Sequence, residues 1–276
     1  MGFQPGGVKE FVKLTDTPSA FTGAGGKLVK VDAGATALEF GSVVPTPILD
    51  QLDQIWQHYY QKLLEDWIEV VVGAGSSIYS ASLGYLQVSS GVIAGDMAQR
   101  TWQCLIGESG GANRFDWDSE MILQFIGSFD VSGAAVGDKI AGMHLKKGNT
   151  SNILADKGIG FGYERNGVHL ICESHDGIGR EPTDLGVSSY IENLFVGSSP
   201  AGTILRVHHR PAGANAVKFY ILNAAGGFDL VATHTTRVPS GVSSGAMMVF
   251  ARNNTTASNI AAILTDAQLY RPIPVA

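Results

Sequence analysis

The segment FDWDSEM places three carboxylates at alternate positions, Asp116, Asp118 and Glu120. In an extended strand these side chains share one face. Closely spaced carboxylates on a strand can serve as the nucleophile and the proton donor of glycoside hydrolysis, and the same oxygens can bind calcium. Because Asp116 and Asp118 follow the loop GESGGANR and precede the strand proper, we favour a solvated strand entrance. We therefore predict no catalytic residue and no metal site, and retain the group as a candidate for ligand binding.

The segment RVHHR carries a second candidate group. Strand alternation divides its side chains between two faces, one basic and one largely apolar. The basic face can bind an anionic glycan or a phosphate, but a solvated sheet face or a salt-bridge surface between subunits explains it as well. His209 falls on the apolar face and is predicted to be an interior or interface histidine. The basic face consists of Arg206, His208 and Arg210.

The segment ESHDGIGREPTD is a third polar group, but its acidic and histidine residues match no metal-ligand spacing. We predict a polar loop joining two strands, which is also where a β-sandwich places binding sites. The sequence contains no Gly-x-Ser-x-Gly elbow, phosphate-binding loop or dinucleotide fingerprint. The acidic and histidine residues of this segment are Glu173, His175, Asp176, Glu181 and Asp184.

The elements that must position these residues are short strands. The chain has 276 residues, 45% of them hydrophobic and only 16% charged, with 35 glycines scattered among short apolar runs. This composition favours one large all-β domain. Hairpin chemistry in ERNG and NAAGG predicts antiparallel pairing of the strands on either side. About eleven strands are predicted, and no internal repeat is found. With no crossover helices, they favour a jelly-roll β-sandwich over 69–276. The predicted strands are LGYLQV, TWQCLI, EMILQFIG, KIAGMHL, GIGFGY, VHLICE, ILRVHH, VKFYIL, FDLVATH, GAMMVFA and AAILTDAQLY.

A single helix is predicted over 44–68, because Thr46 can cap it and Pro47 suits its first turn. Apolar residues follow the alternating three and four spacing of a coiled coil. The apolar surface is wider than a dimer seam, so we predict a homotrimer, with packing of the helix on its own sandwich as the alternative. The predicted oligomerisation residues are Leu49, Leu52, Trp56, Tyr59 and Leu63.

The segment LTDTPSAFTGAGGKLVKVDAGATALEF contains a loop and at best a small hairpin, which cannot build a core of its own. It resembles a segment of bacteriophage tail-fibre and other virion appendage proteins, in which a Leu-x-Asp-Thr-Pro start leads to Gly-Lys and ends in Leu-Glu-Phe. The resemblance implies that 1–43 is a segment docking the protein on a particle, near the attachment end of trimeric appendages. It is carried by Leu14, Asp16, Thr17, Pro18, Gly23, Gly26, Lys27, Leu38, Glu39 and Phe40.

The C-terminal strand pattern and the final TDAQLYRP strand resemble the concanavalin-like jelly-roll domains at the tips of phage fibres. Together the two resemblances imply a trimeric tail fibre or receptor-binding appendage whose sandwich contacts the host surface, with a host surface glycan as a candidate ligand. A capsid decoration or head fibre protein is the structural alternative, and a glycan-cleaving tailspike is the enzymatic one. We expect a virion protein made in the host cytoplasm, without enzymatic activity or a cofactor.

Charge and cysteine content exclude other classes of protein. The net charge of −6 argues against a nucleic-acid partner, which calls for a basic face. Only Cys104 and Cys172 are present, in strand-like runs, so we predict buried thiols and no disulfide framework. The N-terminus lacks the pattern of a secretory signal, and no run of about 18 apolar residues predicts a membrane span.

Overall fold

The computed structural model describes residues 28–31, 38–41, 56–60, 64, 67–82, 84–103, 115–130, 139–147, 156–164, 169–186, 203–211, 213–223, 225–253 and 259–272. The chain divides into two units, Met1–Leu52 and Asp53–Ala276. In the first unit, β1 (Leu28–Val31) pairs antiparallel with β2 (Leu38–Gly41). Leu38 and Phe40 of the predicted docking segment lie in β2, whereas Leu14, Asp16, Thr17, Pro18, Gly26 and Lys27 lie outside the described residues.

The second unit contains two large antiparallel sheets. The seven-stranded sheet contains, in spatial order, β13 (Arg180–Asp184), β12 (His169–His175), β11 (Gly158–Glu164), β10 (Lys139–Lys146), β18 (Ala246–Asn253), β7 (Met97–Gln103) and β4 (Ile68–Val72). The eight-stranded sheet contains β16 (Phe228–His234), β15 (Ala216–Leu222), β14 (Thr203–Arg210), β9 (Met121–Asp130), β19 (Ala261–Pro272), β6 (Tyr85–Ser89) and β5 (Ser76–Ser80), and β3 (Trp56–Tyr60) also pairs with β19. The short strands β8 (Phe115–Asp116) and β17 (Val242–Ser243) pair with each other.

The core lies between the two sheets and is built by alternation along each strand. In β9, Leu123 and Phe125 are buried in the core while Gln124 between them points to the outer face. Phe161 of one sheet and Phe219 of the other meet edge to face, with ring centroids 5.5 Å apart. Truncating such a buried aromatic ring typically costs about 3–5 kcal/mol, so these contacts between the sheets are a major source of stability.

The prediction of an all-β sandwich is confirmed, and each of the predicted strands overlaps a strand of the structure. The predicted pairing across ERNG is confirmed by β11 and β12, and that across NAAGG by β15 and β16. Cys172 is buried in the core as a free thiol, as predicted, and burial raises its pKa well above the usual value. Cys104 lies outside the described residues.

The helix predicted over 44–68 is wrong where the structure describes this region, because Trp56–Tyr60 forms strand β3. Its register on β19 runs from Tyr60 opposite Leu269 to Trp56 opposite Pro272. Aromatic residues fit strands well, and pairing with β19 supplies backbone hydrogen bonds that outweigh helical spacing in the sequence. Trp56 and Tyr59 are therefore not coiled-coil positions. Leu49, Leu52 and Leu63 lie outside the described residues. In the described part of the chain, no helix has the length and apolar character needed to cross a membrane.

Candidate functional site

The three carboxylates of FDWDSEM do not line one strand face, because a turn precedes β9, as expected for the favoured strand entrance. Strand β8 ends at Asp116, and a turn follows. The Asp116 carboxylate accepts hydrogen bonds from the backbone N–H of Asp118 (2.9 Å) and the hydroxyl of Ser119 (2.6 Å). Asp118 Oδ1 accepts one from the N–H of Gly241 at 2.7 Å. Short acidic side chains compete with strand pairing through local bonds, so the Asp116 carboxylate stabilises the turn, while Asp118 links it to Gly241.

Glu120 instead joins the basic face predicted from RVHHR. Its Oε1 atom lies 2.8 Å from His208 Nε2 and 3.1 Å from Arg210 Nε. The turn after β8 thus brings one residue of the first predicted group onto two residues of the second. These contacts make part of the basic face an ion-pair cluster within one chain.

His209 is an interior histidine, as predicted. Its Nε2 donates a hydrogen bond to the carbonyl of Trp117 at 2.8 Å, and the two rings meet edge to face. Among the described residues nothing hydrogen-bonds to its buried Nδ1. Burial lowers the pKa of His209 to about 4, although the Trp117 carbonyl opposes that shift. His209 is therefore a neutral core residue near pH 7.

Arg206 belongs to a row of polar side chains on the outer face of the eight-stranded sheet. Register places Gln124 of β9 between Arg206 of β14 and Gln268 of β19. Arg206 donates from Nε and Nη2 to Gln124 Oε1, at 3.1 and 2.6 Å. Gln124 Nε2 donates to Gln268 Oε1 at 3.0 Å, and the Tyr270 hydroxyl donates to the same oxygen. We call Arg206, Gln124, Gln268 and Tyr270 the polar ladder.

The charge of Arg206 is held among neutral groups. Its guanidinium carbon lies 3.6 Å from the centre of the Phe228 ring, a cation–π contact. Among the described residues Arg206 forms no ion pair. The Asp266 carboxylate lies at the far end of the ladder, where its Oδ2 accepts a hydrogen bond from Gln268 Nε2 at 2.6 Å. Burial lowers the pKa of Arg206 to about 10, and burial also raises the pKa of Tyr270. The ladder is thus a partly desolvated hydrogen-bonding surface with one cation.

The outer face of the seven-stranded sheet carries a second polar cluster. Glu173 accepts from Arg180 Nε at 2.8 Å through one carboxylate oxygen, and its other oxygen lies 3.1 Å from His144 Nε2. Glu173 and His144 are both buried. Burial alone would raise the pKa of Glu173, but His144 and Arg180 outweigh it and hold that pKa below its usual value. Lys146 lies on the same face, and burial lowers its pKa to about 8, against the attraction of Glu173.

Three glycines make room for this cluster. Gly158, Gly160 and Gly162 fill the outward positions of β11, between residues that enter the core, and we call them the glycine strip. Register places Gly160 directly between His144 and Glu173. A Cβ atom at Gly162 would lie 2.2 Å from Glu173 Oε1, which no real contact allows. The absence of outward side chains at these three positions therefore lets Glu173 and His144 meet across β11.

The residues of ESHDGIGREPTD are not all in a loop, which corrects the prediction. Glu173 and His175 lie in β12, and Glu181 and Asp184 lie in β13. Asp176 closes the turn between these strands, because its Oδ1 accepts from the backbone N–H groups of the third and second residues after it, at 2.9 and 2.7 Å. The sequence does not predict β13, because proline and charged residues are unusual in a strand interior. β13 lies at the edge of its sheet, where such residues are tolerated. Within the described ranges, no three acidic, cysteine or histidine residues form a metal-binding group.

The fold and these two faces define an antiparallel β-sandwich with polar outer surfaces. No protein-family model matches the chain, and no curated protein matches it. Among solved structures, it is similar to a legume lectin-like domain from Entamoeba histolytica, with 12% identity over 76% of this chain and 91% of that one, and a TM-score of 0.46.

Two other solved structures are similar at the same level. A lectin from Bauhinia forficata in complex with GalNAc has 11% identity over 81% of this chain and all (100%) of that one, with a TM-score of 0.47. A prokaryotic β-1,3-1,4-glucanase from a mouse hindgut metagenome has 14% identity over 80% and 99% of the two chains, with a TM-score of 0.43. At such identities these similarities concern fold and not function.

Proposed function

We propose that this chain is a structural protein of a bacteriophage virion, a tail fibre or receptor-binding appendage, and that its β-sandwich binds a host surface glycan without cleaving it. The observation that carries the binding role is the polar ladder. Amide, hydroxyl and guanidinium groups are the side-chain groups that hydrogen-bond sugar hydroxyls and anions, and here they lie in one row across three strands.

The carboxylates favour binding over hydrolysis. A glycosidase needs two carboxyl groups across one bond, of which the acid has a raised pKa. Glu120 is instead paired with His208 and Arg210. Asp116 holds a turn, and Asp118 accepts from the N–H of Gly241. Glu173 has a lowered pKa and lies between His144 and Arg180. Each of these groups has a structural explanation that leaves none as a proton donor.

The virion role is supported by the appendage-like segment that ends in Leu38–Gly41. We propose that this segment docks the protein on other virion proteins and that three copies associate. Since Trp56–Tyr60 is a strand and not part of a coiled coil, we propose that the copies associate through another surface. Consecutive strands β4 and β5 end the two sheets, and they leave Ile68, Val72 and Ile78 exposed by 57, 48 and 59%. Exposed apolar edges of this kind are typical interaction sites.

One pair of measurements tests the proposal. Immunogold labelling of purified particles with an antibody against the sandwich is expected to mark the tail. Labelling of the head would instead indicate a decoration protein, and unlabelled particles would contradict the virion role. In parallel, the purified chain is incubated with host surface polysaccharide, and both binding and release of reducing ends are followed. Binding without cleavage is expected, and cleavage would identify a tailspike hydrolase.

A further inference from the structure

The charge of Arg206 points to the chemistry of the ligand. Only 9% of the residue is exposed, and its described partners, Gln124 and Phe228, are neutral. Transferring a guanidinium out of water is costly unless an anion compensates it. On the same face, Glu120 compensates His208 and Arg210 instead. Arg206 therefore differs from His208 and Arg210 in lacking an ion-pair partner among the described residues.

The hydrogen bonds of Arg206 leave one edge of its guanidinium for a ligand. A guanidinium has five N–H donors, of which Gln124 takes one at Nε and one at Nη2. Among the described residues nothing accepts a hydrogen bond from Nη1. The Phe228 ring covers a face of the planar group and not its edge. The remaining Nη1 and Nη2 hydrogens form the two-pronged edge that binds a carboxylate with two parallel hydrogen bonds.

The rest of the polar ladder fits a sugar that carries such a carboxylate. Neighbouring strands are about 4.8 Å apart, so Arg206, Gln124 and Gln268 span on the order of 10 Å across the sheet. Gln124 holds the guanidinium in place. Both amide oxygens already accept two hydrogen bonds, so the second N–H of Gln124 Nε2 and that of Gln268 Nε2 are the amide groups left to donate to sugar hydroxyls. The ladder has the Arg206 cation at one end and neutral hydrogen-bonding groups beyond it, with the Asp266 carboxylate bonded to Gln268 at the far end.

We propose that the polar ladder recognises an acidic sugar residue, with the sugar carboxylate on the guanidinium edge of Arg206 and its hydroxyls on the glutamine amides. The inference rests on the proposed glycan-binding function and names its substrate class. Phe228 and Gln124 fix the plane of the guanidinium before the ligand arrives, which reduces the ordering cost of binding.

Polysialic acid and polygalacturonate serve as acidic probes, and dextran serves as a neutral one. The parent chain is expected to bind an acidic polymer and not dextran. Arg206→Gln is expected to weaken that binding about tenfold or more, since hydrogen bonds to charged groups are the stronger class. Lys218→Gln is the matched control, because Lys218 lies on the same face opposite His208 and its replacement changes the net charge equally. This control is expected to change the affinity less than threefold, as simple charge removal does.

Two further measurements keep the test decisive if Arg206→Gln is poorly folded. Arg206→Lys keeps the charge but lacks the planar fork, and it is expected to bind more weakly than the parent. Carboxyl-reduced polygalacturonate, tested on the parent chain, is expected not to bind. Equal losses in Arg206→Gln and Lys218→Gln, or equal binding of the carboxyl-reduced polymer, would overturn the carboxylate assignment. Binding of dextran alone would overturn this inference and leave glycan binding intact, whereas binding to no glycan, host polysaccharide included, would overturn both.

Discussion

Substitution Gly162→Ala tests whether the glycine strip exists to hold the Glu173 ion pairs. The new Cβ would lie 2.2 Å from Glu173 Oε1, while the nearest atom outside that carboxyl group is the Ala141 carbonyl oxygen at 3.8 Å. Gly162 does not have a positive φ, so alanine fits the backbone. The carboxylate must move, which disrupts its contacts with His144 and Arg180 inside a buried site. Breaking a buried ion pair costs about 3–5 kcal/mol, so we expect a loss of about 3 kcal/mol in the free energy of unfolding.

Urea denaturation followed by the fluorescence of buried tryptophans measures this loss. Gly227→Ala is the matched control, because its Cβ would meet the Asn223 side chain at an ordinary 3.4 Å, and its effect is expected within about 0.5 kcal/mol. In a Glu173→Ala background the obstacle is gone, so Gly162→Ala is expected to cost less than about 1 kcal/mol there. Equal costs of Gly162→Ala in both backgrounds would refute the steric reasoning.

Three other predictions address charge, assembly and docking. Because the folded pKa of Glu173 is lowered, its stabilisation is complete above the unfolded pKa of about 4.3 and is lost as pH falls through the folded pKa; the stability gap between the parent and Glu173→Gln should shrink in urea titrations below about pH 4. The double substitution Ile68→Lys with Val72→Lys should reduce the mass measured by light scattering from three chains to one. The control Ile178→Lys, at a position 86% exposed, should leave the mass unchanged. A double variant that stays trimeric would exclude this edge as the interface, and a monomeric parent would exclude the trimer. Deleting residues 1–41 should preserve the β-type circular dichroism, since both large sheets lie in Asp53–Ala276, and should abolish incorporation into particles; normal incorporation would contradict the docking role.

The strands were predictable where one face enters the core and the other does not. In β14, alternation alone separates Val207 and His209 from Arg206 and His208, and their contacts in the structure show this division. The same use of residue spacing wrongly predicts a helix over 44–68, because Trp and Tyr at spacings of three and four fit a coiled coil as well as a strand. Only the long-range pairing of β3 with β19, over 200 residues away in sequence, decides between them.

The candidate site was less predictable than the fold, because it depends on register between distant strands. Arg206 was identified from its own segment, but Gln124 and Gln268 lie in strands that sequence alone does not align. Similarly, the pattern of GIGFGY predicts a strand, but it does not reveal that the three outward glycines make room for side chains of the neighbouring strands. A strand with no outward side chains leaves space that neighbouring side chains must fill, here His144 and Glu173.

The two outer faces differ in how their charges are compensated, and this difference decides which one to test for binding. On the seven-stranded sheet, the buried Glu173 has Arg180 at one carboxylate oxygen and His144 at the other, so both oxygens are satisfied without a ligand. On the eight-stranded sheet, Glu120 completes only the His208 and Arg210 end. Arg206 keeps a nearly buried charge whose described partners are neutral. An uncompensated buried charge raises the free energy of the unliganded protein. Binding of an anion at Arg206 is therefore favoured, because the anion compensates that charge.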